Sequence, residues 1–159
     1  MANSTPTSAN PLPSQRSSAR WVVLKFGGTS VSTLDRWQTI ADALRERLAQ
    51  RTRPLVVCSA LSQVSNQLES LLELAVEGQD FRQRLQALHQ VHYDLARDME
   101  IDAEKLIRDD LGELDRLLTG ISLTREVTPR LQAQLMSFGE VLSTRLGAAW
   151  LSAQGLATL

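Results

Sequence analysis

Arg20-Trp21-Val22-Val23-Leu24-Lys25-Phe26-Gly27-Gly28-Thr29-Ser30 is an apolar run that stops at a pair of glycines followed by two hydroxyl residues. Its alternation places Val22, Leu24 and Phe26 on one face and Val23 and Lys25 on the other, the periodicity of a strand, here read as a buried strand ending in a turn. At the end of that strand the Lys25 ammonium can reach a phosphate that the backbone N–H groups of Gly27 and Gly28 approach closely, and Thr29 and Ser30 add hydroxyl donors. The order is not GxxxxGK[ST], which puts the lysine after the glycines, and it is not GxGxxG. On residue chemistry alone, a phosphate turn and a plain tight turn both remain open.

Downstream, Ser32-x-x-Asp35 reads as a capping-box-like start, with Asp in place of Glu. Leu34, Trp37, Ile40, Leu44 and Leu48 then recur at helical spacing to about Gln50. Arg51-Thr52-Arg53-Pro54 is a basic link, and Leu55-Val56-Val57-Cys58 reads as a second buried strand. Two strands joined through one helix form a βαβ crossover, which requires parallel strands and a right-handed connection. Ser59 to Ser65 becomes a loop at the carboxyl end of the second strand, where ligands of open α/β sheets bind.

From Asn66 to about Gly120 the pattern is wholly helical. Leu68, Leu71, Leu72 and Ala75 mark one helix up to Gly78; Phe81, Leu85, Leu88, Val91, Leu95 and Met99 mark a second; Leu106, Leu111, Leu114 and Leu118 mark a third. Thr128 as N-cap and Pro129 at the first helical position open a helix toward Met136, and a further stretch runs from Glu140 to Gln154, ended by Gly155. Leu156 to Leu159 reads as the start of a third strand. The expectation is an α/β fold with a mostly parallel sheet, truncated after its first strands and interrupted by an inserted helical block over 66–120. A sheet cut off so early would leave an unprotected edge, so the chain is expected to be part of a longer polypeptide.

Composition narrows the function classes. With 43% hydrophobic and 22% charged residues, the 159-residue chain can bury the core of about one domain. A net charge of −1 offers no basic field for nucleic acid or anionic lipid, so a phosphorylated ligand must be held by local donors. Neither a nucleic-acid nor a membrane partner is expected. Cys58 is the single cysteine, which excludes an intrachain disulfide and fits a reducing, cytoplasmic setting. Residues 1–19, rich in Ser, Pro, Asn and Thr and without an acidic residue, read as a disordered leader. Their Ser/Arg bias is that of a transit peptide, but the amphipathic periodicity is missing. The domain then spans 20–159.

Two further stretches could carry chemistry. In Ser59-Ala60-Leu61-Ser62-Gln63-Val64-Ser65-Asn66 the hydroxyls could orient a small polar substrate, or could simply cap the next helix. In Ser137-Phe138-Gly139-Glu140, with Ser143 on the same helix face, the carboxylate could bind an ammonium group or could face solvent. His89 and His92 lie three apart without an evident third ligand and read as surface or semi-core residues. Cys58 and Trp37 read as core. No metal ligands are assigned.

Taken in order, Lys25 to Ser30 as KFGGTS, the serine-rich Val56 to Asn66, and the G-E-x-x-S segment within Phe138 to Ser143 resemble the aspartokinase branch of the amino-acid kinase family, over Trp21 to the end of the chain. The resemblance implies a three-layer sheet of the amino-acid kinase type. It also implies ATP-dependent phosphorylation of the L-aspartate side-chain carboxylate to 4-phospho-L-aspartate, in lysine, threonine and methionine biosynthesis, with Mg2+ accompanying ATP. By that analogy Lys25 is catalytic, and Lys25, Phe26, Gly27, Gly28, Thr29 and Ser30 bind the phosphates. Ser59 and Ser65 meet aspartate and phosphate, and Glu140 binds the substrate α-ammonium. The whole protein is expected to be a homo-oligomer. The family usually has Gly and Thr where this chain has Gln63 and Ser65. The hydroxyl survives, but Gln at a positive φ is strained, which makes the substrate role of Ser65 less secure than that of Lys25.

Two other readings compete. One keeps the fold but changes the acceptor to another small carboxylate. The other is a non-catalytic helical interaction module built on the Leu-rich block from Leu68 to Leu118. The later strands of such kinases supply most of the adenine, metal and substrate-carboxylate contacts, so residues 1–159 alone are expected to be inactive.

Overall fold

The computed structural model describes residues 20–158; the expected leader over 1–19 and the final residue of the expected third strand, Leu159, lie outside them. In chain order the elements are β1 (Trp21–Phe26), a 3-10 turn (Gly28–Val31), α1 (Leu34–Ala49), β2 (Arg53–Cys58), α2 (Val64–Glu77), α3 (Arg82–Asp98), α4 (Ala103–Thr124) and α5 (Pro129–Ala153). The fold is α/β. β1 and β2 pair in parallel, with Lys25 opposite Val57 and Phe26 opposite Cys58, and α1 provides the crossover. Among the described residues no helix is long and apolar enough to cross a membrane.

Alternation along the strands divides the sheet into two unlike faces. Leu24, Phe26, Val56 and Cys58 pack against the core. Trp21, Val23, Leu55 and Val57 lie on the other face and are exposed, Trp21 and Val23 to more than half. The expectation of two buried strands is thereby corrected: among the described residues the helices cover one face of the sheet only, so each strand is half-buried. No third strand forms over Leu156 to Thr158. Gly155, at φ 78°, ends α5 as expected, and the chain leaves it in an irregular conformation.

Trp37 anchors α1. Its indole is 1% exposed and its Nε1–H donates to the Val31 carbonyl at 2.8 Å, so the one polar atom of a large buried side chain is satisfied. Ser32 does not cap α1; the N-cap is Thr33, and the Ser32 hydroxyl is engaged elsewhere. Helices α2, α4 and α5 pack on one another, with α3 against α4 and α2, around Leu68, Leu71, Leu88, Ile107, Leu114, Leu118, Leu135 and Leu142, all fully buried. Asp102 and Thr128 cap α4 and α5 by accepting from Lys105 N and Leu131 N, each at 3.2 Å.

Three boundaries differ from the sequence reading. α2 begins at Val64, so Val64 and Ser65 belong to its first turn and not to the preceding loop. α4 runs through Gly120 to Thr124, because Ile121 on its apolar stripe is buried and holds the extra turn down. α5 is one helix of 25 residues, continuous through Gly139, where two helices had been expected. A single Gly weakens a helix by only about 1 kcal/mol, less than the packing of nine buried residues along α5 supplies.

Candidate functional site

The glycine turn and the serine loop meet at the carboxyl ends of the two parallel strands. Ser59 N–H donates to the Phe26 carbonyl at 3.0 Å, carrying the pairing of β1 and β2 one step past the strands. Gly28 then lies so near the loop that a Cβ there would sit 2.9 Å from the Ala60 carbonyl oxygen and 3.3 Å from Ser62 N. Only glycine permits that approach without a shift of backbone. Ser30 N–H donates to the Gly27 carbonyl at 2.9 Å and closes the 3-10 turn.

Two hydroxyls fasten the loop from opposite sides. The Ser32 hydroxyl donates to the Gly28 carbonyl at 2.6 Å and accepts from Ser62 N–H at 2.7 Å, joining the turn to the loop. On the other side Ser143, fully buried on α5, donates to the Ser59 carbonyl at 2.7 Å, sharing its proton with the Glu140 carbonyl at 3.1 Å. Gly139 lets α5 come this close, since a Cβ there would fall 2.6 Å from the Ala60 Cβ. The small residues Gly28, Ala60 and Gly139 are therefore a packing necessity of one junction.

The loop ends in a strained residue. Gln63 is the N-cap of α2 at φ 67°, ψ −7°, and its Oε1 accepts from Asn66 Nδ2 at 2.9 Å. The positive φ anticipated at this position from the usual Gly is present. Ser65, on the first turn of α2, is exposed.

Of the residues singled out from sequence, the structure gathers Gly27, Gly28, Ser59 and the α5 segment containing Glu140 around this junction. Lys25 is exposed on the open face of the sheet, opposite Val57, whereas Phe26 points into the core. Glu140 is exposed, and neither it nor Lys25 forms an ion pair among the described residues. Sequence reasoning missed the bond between Ser32 and Ser62. Ser32 looked like a helix cap, and no residue pattern distinguishes a serine that caps from one that bridges.

Two cavities lie outside the junction. A trough of about 420 Å³ between α2 and α3 is lined by Gln63, Asn66, Gln67, Ser70, Arg84 and Ala87. An apolar groove of about 410 Å³ runs beside β2, between Trp37 and Leu44 of α1 and Ala148 and Leu151 of α5. The described residues contain no group of three or more His, Cys, Asp or Glu side chains able to hold a metal ion. Cys58 is a free, half-buried thiol whose pKa is raised by burial, so it is a poor nucleophile at neutral pH.

The model of the amino acid kinase family matches residues 20–158. The chain is 33% identical over 138 residues to aspartokinase 1, chloroplastic, of Arabidopsis thaliana, covering 84% of this chain and 24% of that protein. It is 33% identical over 130 residues to the lysine-sensitive aspartokinase 3 of Escherichia coli, covering 79% and 27%. Among solved structures, E. coli aspartokinase III in complex with aspartate and ADP in the R-state aligns with a TM-score of 0.63 at 28% identity, over 86% of this chain and 29% of that one. The chain thus spans about a quarter of the length of these relatives.

Proposed function

This chain belongs to the amino acid kinase family, and from that premise we propose that it is the N-terminal part of the kinase domain of an aspartate kinase, making 4-phospho-L-aspartate for lysine, threonine and methionine biosynthesis. The observation that carries the reading is the junction itself. The KFGGTS turn, the serine loop and the Gly139-Glu140-x-x-Ser143 segment, far apart in sequence, meet at the carboxyl ends of parallel strands.

In the proposed reaction a side-chain carboxylate oxygen of L-aspartate attacks the γ-phosphorus of ATP. An O–P bond forms, the bond from that phosphorus to the β,γ-bridging oxygen breaks, and its electron pair leaves with ADP. The attacking carboxylate is already ionised at neutral pH, so no general base is needed. What the protein must supply is position and positive charge. Lys25 offsets charge on the transferring phosphoryl oxygens, and the backbone from Phe26 through Gly28, with the Thr29 and Ser30 hydroxyls, donates to the phosphates. Ser59 and Ser65 orient the acceptor where it meets the phosphate, and Glu140 pairs with the substrate α-ammonium. That Lys25 and Glu140 lack ion-pair partners among the described residues leaves both charges available for this.

Magnesium enters with ATP as part of the substrate complex. The described residues offer it no ligand cluster, so no step is assigned to it here. In the whole protein, in this reading, helices cover the open face of β1 and β2 to complete a three-layer fold, with α2 to α4 as an inserted block. The same reading includes a homo-oligomer in the cytoplasm that uses neither nucleic acid nor membrane.

The test is ATP-dependent formation of aspartyl phosphate by the full-length protein, trapped as the hydroxamate, across a panel of small carboxylates. Activity on aspartate above the other acceptors is expected, with Lys25→Ala abolishing it at unchanged melting temperature. Preference for a different carboxylate replaces the acceptor, and wild-type turnover in Lys25→Ala removes the role given to that lysine. Residues 1–159 alone are expected to show no turnover.

A further inference from the structure

We propose that Ser32 is a positioning residue for phosphoryl transfer, acting by fixing the glycine turn against the serine loop; the inference rests on the kinase reading above. One hydroxyl spans the two segments. It donates its only proton to the Gly28 carbonyl at 2.6 Å and accepts the Ser62 N–H at 2.7 Å, so it holds one segment by its carbonyl and the other by its amide. A Cβ on Gly28 would fall 2.9 Å from the Ala60 carbonyl oxygen, so backbone contact limits how near the turn and the loop can come, while the two Ser32 bonds limit how far apart they can move. The loop's far end is pinned independently by Ser143 at the Ser59 carbonyl.

These two ties divide the labour. Ser143 fixes the loop to the helix that bears Glu140, and Ser32 fixes it to the turn that follows Lys25. Without Ser32 the Ser62 end of the loop loses its only hydrogen bond to the turn among the described residues, while the parallel ladder and the Ser143 bond persist. The phosphate and carboxylate sites then each remain formed, but their spacing is no longer fixed. Phosphoryl transfer depends steeply on that spacing, whereas the separate binding of each substrate does not.

The prediction is a split between turnover and binding. In the full-length protein, Ser32→Ala lowers kcat by about tenfold or more, with KM for ATP and for aspartate each within about threefold of wild type. Ser32→Thr, which keeps the hydroxyl, restores most of kcat. A purely structural serine would instead lower the melting temperature and leave kcat at 25 °C unchanged. Active wild type matched in kcat by Ser32→Ala overturns this inference alone; wild type inactive on every acceptor overturns it together with the kinase reading. If Ser32→Ala does not fold, Ser32→Thr and Ser32→Cys decide: the thiol, longer and a weaker hydrogen-bonding group, should lose turnover where Thr keeps it, and equal turnover in the two refutes the proposal.

Discussion

Gly139 on α5 and Ala60 in the loop after β2 approach so closely that a single added methyl would bring two Cβ atoms to 2.6 Å. Gly139→Ala tests how much that approach matters. Alanine gains up to about 1 kcal/mol of helix propensity, but overpacking against a buried loop costs about 1–3 kcal/mol. The expected net effect is a destabilisation of about 1 kcal/mol, read from the denaturant midpoint at unchanged m-value. A stabilised variant would mean that Ala60 yields freely and that the loop is not held in place by α5.

Trp37 and Gly147 form the second close pair, where a Cβ on Gly147 would overlap the six-membered ring of the indole. Gly147→Ala should therefore destabilise by about 3 kcal/mol, more than the same change at Gly139, since a buried indole that also donates to Val31 cannot move aside. The direct test is a double-mutant cycle with Trp37→Phe, whose smaller ring leaves room for the methyl. The cost of Gly147→Ala should fall by half or more in the Trp37→Phe background. Simple additivity would show that the indole is not what excludes the methyl.

What was legible in the sequence follows from which forces act locally. The β1-turn-α1-β2 unit could be read because alternation in Val22 to Phe26 and the 3.6-residue period of Trp37, Ile40 and Leu44 are local patterns, and the parallel crossover follows from chain connectivity. Gly139 misled because a glycine in a helical pattern signals a break only when nothing packs on it, and the Ala60 contact is 79 residues away in sequence. The open face of the sheet was invisible for a related reason: Val23 and Val57 look the same in sequence whether or not something covers them. At the site, the three stretches could be named from the chain, but the bond between Ser32 and Ser62 could be found only once folding had set the turn against the loop.

Gln63 offers a route to a more stable chain. An L-residue other than Gly in the left-handed region costs about 1 kcal/mol, and Gln63 sits there at φ 67°. Its side-chain bond to Asn66 is exposed and returns little. Gln63→Gly removes the strain but adds backbone entropy to the unfolded chain, so a net gain of about 0.5 kcal/mol is expected in thermal or denaturant unfolding. A loss of stability would show that the Gln63 side chain, which lines the trough between α2 and α3, makes a contact worth more than the strain.

His92 gives the fold a dependence on pH. It is fully buried, and its Nδ1–H donates to the Leu88 carbonyl at 2.8 Å, which fixes Nε2 as the unprotonated nitrogen, buried without a partner. Burial lowers its pKa from 6.5, partly opposed by the Leu88 bond and reinforced by His89. His89 is lowered as well, by burial against the opposing charge of Asp115, and its Nε2 also lacks a partner. With the folded values depressed, the unfolded chain binds more protons between those values and about pH 6.5, so stability rises with pH across that window. It is fully present above about pH 6.5 and is lost progressively as pH falls toward the folded values. Melting temperatures should therefore drop from pH 7.5 to pH 5.5, and His92→Leu should flatten most of that slope whatever it does to stability at pH 7.5. An unchanged slope in His92→Leu would place the pH sensitivity elsewhere, with His89→Leu the next variant to measure.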